Sequence, residues 1–529
     1  HFGPSRRLPD THHLSSWHPG SMVLEQALQT INEHRGGLAC AAASAGASLL
    51  ALRILFRTRA DRFEEVPGSW LLGVLPQLGK GAELMAHKVE EWAKTYGQEG
   101  AYEFNLAGQR MVVVSSWEHA YPVLKARPFK VKKATYWSNV HDMVTGSFFS
   151  EGERWKKERR VLSPAFSSKN VEGYVPAVEL ITQKLLQEMD KDVALNGEVN
   201  FSDLLPLYTA DVICKTSLGQ DFRMLEARKS DIVTDVKQMF GAMQLRLFAA
   251  LPYWKIPGLA GLVDGGNTIS RRFFKRSEQI LRDATGDGTS IAEKLRNMDG
   301  EKFTHDELIN NVTVLFLGGT DTTSLVLSWS FYYLSCDEKL QNAVAKEVRS
   351  LPAGEISLSQ LQSLPTVQAV WLESLRLRGP AAVFGLEPTE DVTIAGRKVP
   401  AGTHVMVALR NILKHDPSVK RSLGDDLEVF RASRWLNADG GKKSSSRATS
   451  SRMTGVIRAQ PFDTLSFGYG PRICLGMRLA EYEGLLVIAK VIQKFVLQQW
   501  DKPPLQDFST FVQNEPTAPV SIRLQERAW

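Results

Sequence analysis

The densest chemistry in the chain lies in Ser466–Gly476, SFGYGPRICLG, where three glycines, a proline and an arginine surround Cys474. Gly468, Gly470 and Pro471 favour a tight loop. The following stretch, LGMRLAEYEGLLVIAKVIQKF, has helical apolar spacing, which predicts that Cys474 stands at or just before a helix N-terminus. Free backbone N–H groups and the positive dipole end favour a thiolate there, and Arg472 adds a positive charge. A nucleophilic cysteine needs a base, and this neighbourhood offers no histidine, so a metal-ligating thiolate fits better. The other cysteines, Cys40, Cys214 and Cys336, lie far apart without CxxC or zinc-type spacing. That argues against a disulfide framework and a structural zinc, and suits a reducing compartment.

A second polar cluster interrupts an apolar run, THDELINNVTVLFLGGTDTTSLVLSWSFYYLSCDEK from Thr304. Thr304 and Glu307 have capping-box spacing, and helical character extends to Cys336, roughly 50 Å at 1.5 Å per residue. In its centre Gly318 and Gly319 each cost about 1 kcal/mol relative to alanine, and Thr320, Asp321, Thr322 and Thr323 follow. Three readings stand together. Val312–Leu334 could span a membrane, with Asp321 as an expensive charge. The helix could instead be buried, its threonines bonding back to the preceding turn. Or the glycines let a large flat group approach the backbone while Asp321 and Thr322 deliver protons to it. Three further fragments are weak alone: WKKERR sets Trp155 and Arg159 one turn apart, WLESLRLR sets Glu373 and Arg376 on one helical face, and FRASRWL offers Arg434.

The elements that must position these residues are mostly helical. The chain has 529 residues, 43% apolar and 23% charged, as in folded soluble bodies, and a net charge of +6 too mild for a nucleic-acid binder. Residues 1–35 read as a disordered or non-native segment. Residues 36–60 contain GGLACAAASAGASLLAL followed by arginines, which reads as a membrane anchor with its arginines cytosolic. An organellar transit segment is the rival, since residues 36–60 carry no acid, and a plain soluble helix is the third reading. Glu64–Pro76 reads as a linker broken by Pro67-Gly68 and Pro76, and Glu103–Ser116 as a hairpin turning at Ala107-Gly108. Residues 155–349 are mainly helical, and Asp391–Leu409 holds strands with turns at Ala395-Gly396 and Ala401-Gly402. Gly440–Arg458 is Ser-rich with five basic and no acidic residues, a basic surface insertion within 61–529. No Gly-rich dinucleotide fold is visible.

The loop Phe467-Gly-Tyr-Gly-Pro-Arg-Ile-Cys-Leu-Gly476 resembles the haem-binding loop of the cytochrome P-450 monooxygenases. Trp155…Arg159, Gly318-Gly-Thr-Asp-Thr-Thr323, Glu373-Ser-Leu-Arg376 and Arg434 fall in that family's order, over about Pro67–Arg523. The resemblance implies one large, mainly α domain with small β-sheets behind an N-terminal membrane anchor. It implies haem b (iron protoporphyrin IX) with Cys474 as axial thiolate, Phe467 beside it and backbone N–H groups as far as Gly476 tuning it. Trp155, Arg159 and Arg472 would bind the haem propionates. Glu373, Arg376 and Arg434 would form a structural ion-pair network, and Asp321 and Thr322 the distal acid–alcohol pair. Three departures are visible. Gly318 stands where alanine is common, Ala-Ser-Arg434 where Pro-Glu-Arg is common, and Leu386-Glu387 where a propionate-binding cation is frequent, which leaves a three-donor set.

The implied activity is insertion of one oxygen atom of O2 into a lipophilic substrate (fatty acid, sterol, terpenoid or xenobiotic). Electrons would come from a separate NADPH-dependent diflavin reductase, with cytochrome b5 as a further donor, at the endoplasmic reticulum membrane with the catalytic domain cytosolic, or at another organellar membrane. Lys156, Lys157 and Arg160 would offer a basic docking face. Lys133–Phe149, Ala381–Phe384 and Asn514–Ala518 would shape the pocket. Two alternatives are a haem-thiolate isomerase or dehydratase acting on hydroperoxides, and a non-enzymatic haem-binding protein.

Overall fold

The computed structural model describes residues 62–79, 84–249, 251–283, 290–297, 302–352, 354–436, 456, 461–509 and 514–529. The expected anchor at 36–60 and the segment before it lie outside these residues, as does the basic insertion apart from Val456. Phe63–Trp529 forms one compact unit around a continuous apolar core. The helices of nine residues or more are α1 Met85–Tyr96, α2 Trp117–Lys125, α3 Gly152–Leu162, α4 Val175–Asn196, α5 Phe201–Leu218, α6 Asp231–Leu247, α7 Gly266–Asp283, α8 His305–Cys336, α9 Glu338–Val348, α10 Pro365–Arg378 and α11 Met477–Lys494.

The strands are β1 Ala101–Leu106, β2 Gln109–Val114, β3 Val131–Lys133, β4 Glu198–Asn200, β5 Phe384–Pro388, β6 Val392–Ile394, β7 Arg397–Val399, β8 His404–Val407, β9 Phe495–Leu497, β10 Asp507–Ser509, β11 Asn514–Pro516 and β12 Ser521–Glu526. One five-stranded sheet has the order β1-β2-β8-β5-β3, with β2 and β8 parallel. The rest are small: β4-β12-β9, β10-β11 and β6-β7. The predicted turns are in place. Ala107 and Gly108 take φ of 47° and 92°, and Ala395 and Gly396 take 45° and 73°, the left-handed pairs that close tight hairpins. Glu64–Pro76 is no free linker, because Glu65 and Gly73 bridge to β1 at Glu103 and Leu106.

The long helix α8 starts at the predicted capping box, with the Thr304 hydroxyl accepting from the Glu307 N–H and Glu307 reaching back to the Thr304 N–H. It packs against α5, α7, α10 and α11. No helix among the described residues is long and apolar enough to cross a membrane, so the spanning reading of Val312–Leu334 falls. Its threonines and serines, apart from the half-buried Thr322, are buried within the protein. Thr209 of α5 donates to the Thr320 carbonyl at 2.7 Å, and Ser330 donates to Ser374 of α10 at 2.9 Å. Helix α10 lies flush on α11, where a Cβ at Gly484 would fall 2.3 Å from the buried Trp371 ring. A buried ion pair, Arg246 Nε to Asp264 at 2.7 Å, closes the connection between α6 and α7.

Candidate functional site

The cysteine loop is built by two left-handed glycines, Gly468 with φ 92° and Gly470 with φ 69°, where a side chain would strain the backbone. The Cys474 N–H donates to the Phe467 carbonyl at 2.7 Å and closes the loop. Two residues later Gly476 is the N-cap of α11, with no side-chain cap to take the helix's first N–H groups. Cys474 is accessible although protein surrounds it, so its sulfur opens onto interior space. Burial pushes its thiol up, while the Gly476 N–H, the Arg159 guanidinium and the Met477 N–H pull down. Burial wins, so the loop alone does not hold a thiolate as the helix-end argument expects. A bound metal cation would remove the thiol proton outright. A Cβ at Gly476 would meet nothing within 4 Å.

The expected cations separate into different roles. Arg159, on α3, is the one that feels Cys474, and among the described residues no carboxylate pairs with its half-buried guanidinium. Arg472 is instead held by Glu151 at 2.5 Å and by the carbonyls of Ser150 at 2.7 Å and Ser147 at 3.3 Å. Its guanidinium lies 4.2 Å from the Trp155 ring centroid, so Trp155 carries a cation on its face.

Two residues the sequence reading missed belong to the same cluster. Arg127 is buried with its Nε unpartnered, and burial, then Arg472, pull its guanidinium down to about 10. Lys133 is pulled well down by burial and then by Arg472 and Arg127, and its Nζ lies 3.3 Å from the Phe148 ring centroid. Their signal was the run KARPFKVKK at Lys125–Lys133, which looks like any solvated basic face. The expected fourth position, Glu387, offers no cation. It accepts from the Thr135 N–H and pairs with Lys132 at 3.0 Å. Among the described residues Arg127, Lys133 and Arg472 thus share one carboxylate, Glu151, with Arg159 beside them, since Glu158 is taken by Arg154 at 3.0 Å. That excess of partly buried positive charge suits a dianionic group such as a haem with its two propionates.

On α8 the central glycines part company. A Cβ at Gly319 would come within 2.8 Å of Ile213 on α5, so Gly319 serves helix packing. A Cβ at Gly318 would meet nothing within 4 Å, and Gly318 is exposed in a helix that is otherwise largely buried. Thr322 lies one turn on along the same face, half-buried, its hydroxyl donating to the Gly318 carbonyl at 2.6 Å. The back-bonding reading therefore holds at Thr322, which also lies on the open face beside Gly318. Asp321 is buried, about 100° further round the helix.

Glu373, Arg376 and Arg434 meet as expected. Arg376 grips Glu373 through two bonds of 2.8 Å, Arg434 Nε adds a third of 2.8 Å, and Trp435 Nε1 a fourth of 2.9 Å. Arg434 also donates to the carbonyls of Leu423, Asp425, Asp426 and Val429, tying a loop to the network. Burial pushes the Glu373 carboxyl up, but Arg376 and Arg434 override it and hold it below the usual carboxylate range. Two of the three cations expected to offer a basic face on α3 are paired. Lys157 bridges to Glu307 of α8 at 2.8 Å, and Lys156 pairs with Glu153 at 2.6 Å.

The cytochrome P-450 family model matches residues 65–522, and the chain belongs to that family. Cytochrome P-450 CYP13A4 of Caenorhabditis elegans is 26% identical over 459 residues, 77% of this chain and 83% of the relative. Cytochrome P-450 4d1 of Drosophila melanogaster is 22% identical over 519 residues, 91% of this chain and 97% of the relative. Membership makes the protein a haem-dependent oxidoreductase of the monooxygenase class, similar to nematode and insect proteins.

Proposed function

We propose that the protein inserts one oxygen atom of O2 into a C–H bond of a lipophilic substrate. The observation that carries this reading is Cys474, opening onto interior space at a helix start beside a cation, Arg159, with no carboxylate of its own among the described residues. Cys474 holds the iron, and Arg159, Arg472 and Trp155, with Arg127 and Lys133, hold the propionates. Phe467 packs beside the sulfur. Bound there, the haem supplies O2 activation and C–H oxidation. The open backbone at Gly318 leaves room for the macrocycle, and the Thr322 hydroxyl holds a proton at the face of that space. Asp321, buried next to it, feeds protons toward that hydroxyl. Glu373, Arg376 and Arg434 keep the Cys474 side rigid and touch no reacting atom.

Electrons arrive from a separate NADPH-dependent diflavin reductase, with cytochrome b5 as a further donor, at the endoplasmic reticulum membrane. The eukaryotic relatives support this placement. The aromatic segment Tyr136–Phe149 supports a lipophilic substrate, since Trp137 and Phe149 both pack edge to face with Phe148 there. The test is to reconstitute the protein with a diflavin reductase and NADPH, and to incubate it with a panel of fatty acids, sterols and terpenoids under isotopically labelled O2. A product carrying one labelled oxygen is expected. Product oxygen drawn from water, or isomerisation or dehydration of lipid hydroperoxides with no O2-labelled product from any substrate, would overturn the reading.

A further inference from the structure

Tyr469 occupies an odd place in the cysteine loop. It is extended, with φ −141° and ψ 147°, between two left-handed glycines, and nothing in that turn requires an aromatic side chain. Its ring meets Tyr121 at 5.6 Å and Trp117 at 5.8 Å, both edge-on, and those two rings lie 5.5 Å apart. Trp117 and Tyr121 belong to α2, and all three residues are partly exposed. Phe462 backs the indole at 5.4 Å. Toward the interior, the Cys474 N–H bonded to the Phe467 carbonyl makes a short cut from the sulfur to within two residues of Tyr469. Three readily oxidised side chains therefore form a contiguous path from the cysteine loop to the surface.

We infer that Tyr469, Tyr121 and Trp117 form a one-electron relay that discharges an oxidised haem site when no substrate takes the oxygen. The inference rests on Cys474 holding the haem. Peroxide serves as the oxidant and leaves the site two electrons short. Tyr469 gives one electron, and its phenolic proton passes to the neighbouring Tyr121 hydroxyl or to solvent. Trp117 then returns an electron to the phenoxyl, which regains a proton, and the oxidised indole is reduced at the surface by a soluble thiol, which releases its proton and becomes a thiyl radical. Two such passes deliver two electrons that, with the two protons the thiols release, convert the peroxide to two water molecules, and the two thiyl radicals couple to a disulfide. The haem and its thiolate are spared.

The experiment uses the full-length, haem-loaded protein, treated with hydrogen peroxide without substrate in the presence of a nitroso spin trap. The red-shifted carbon monoxide band of the reduced protein is recorded first. Trap adducts on Trp117, Tyr121 and Tyr469 are expected by mass spectrometry. In Tyr469→Phe and Trp117→Phe, which preserve ring packing, adducts on the remaining partners should fall and haem bleaching should accelerate several-fold. A protein with the band whose adducts lie on other aromatics, or whose variants bleach at the wild-type rate, overturns the relay alone. A protein without the band overturns both the relay and the haem-thiolate reading beneath it.

Discussion

Replacing Glu373 by Gln removes one charge and almost no volume, so it isolates what the carboxylate does. Oε1 accepts from Arg376 Nη2, Arg434 Nε and the Arg431 N–H, while Oε2 accepts from Arg376 Nε and Trp435 Nε1. A glutamine keeps its carbonyl for the three-donor side and turns an amide NH2 toward two donors. Two guanidiniums with almost no exposed side-chain surface then lose their counter-ion. Removing one partner of a buried pair costs about 3–5 kcal/mol, a large share of the ~5–15 kcal/mol that holds a typical protein folded. Urea unfolding followed by tryptophan fluorescence should show a loss of about 4 kcal/mol, with a matching drop in haem per chain. The pH dependence has a definite sign. A carboxyl held below its ordinary value contributes stability that is complete above about 4.3 and is lost as pH falls through its folded value. Wild type should therefore lose stability faster than Glu373→Gln in that acid window. A loss under about 1 kcal/mol, the scale of a surface pair, would refute the claim that this network braces the site.

Three other outcomes follow from the same geometry. Thr304→Ala removes the capping box of α8 and should cost about 1 kcal/mol in urea unfolding with the carbon monoxide spectrum unchanged. Burial holds the Asp211 carboxyl up at about 6 against the N–H groups of Leu225 and Met224. The folded state thus binds that proton more tightly than the unfolded chain, so wild type should gain stability relative to Asp211→Asn as pH falls from 7 toward about 4. Thr322→Ala leaves Cys474 untouched and should keep the spectrum, yet divert NADPH electrons into peroxide. Unchanged product per NADPH would refute the hydroxyl's role.

The features legible in the sequence are those fixed by local contacts. The capping box, the hairpins at Ala107-Gly108 and Ala395-Gly396, and the cysteine loop each depend on residues a few positions apart. Glu373 and Arg434, 61 residues apart, could be paired only by resemblance, because nothing local to either announces the other. Arg127 and Lys133 were hidden because a basic run usually faces water, and only the fold buries Arg127 and brings the half-buried Lys133 toward Arg472. Gly318 and Gly319 look alike in sequence, but helical rotation sends one toward open space and the other onto Ile213. Strands such as β5 and β9–β11 are too short to show alternation and exist because neighbouring strands pair with them. The Arg246–Asp264 clasp joins residues 18 apart across a connection whose path no periodicity predicts.

The most direct test of the haem-thiolate assignment is the carbon monoxide difference spectrum of the reduced, purified protein beside that of Cys474→Ser. Wild type should show the strongly red-shifted Soret band of a thiolate-ligated haem, and the serine variant should lose it. An unshifted band in wild type, or a shifted band that survives Cys474→Ser, would contradict the assignment.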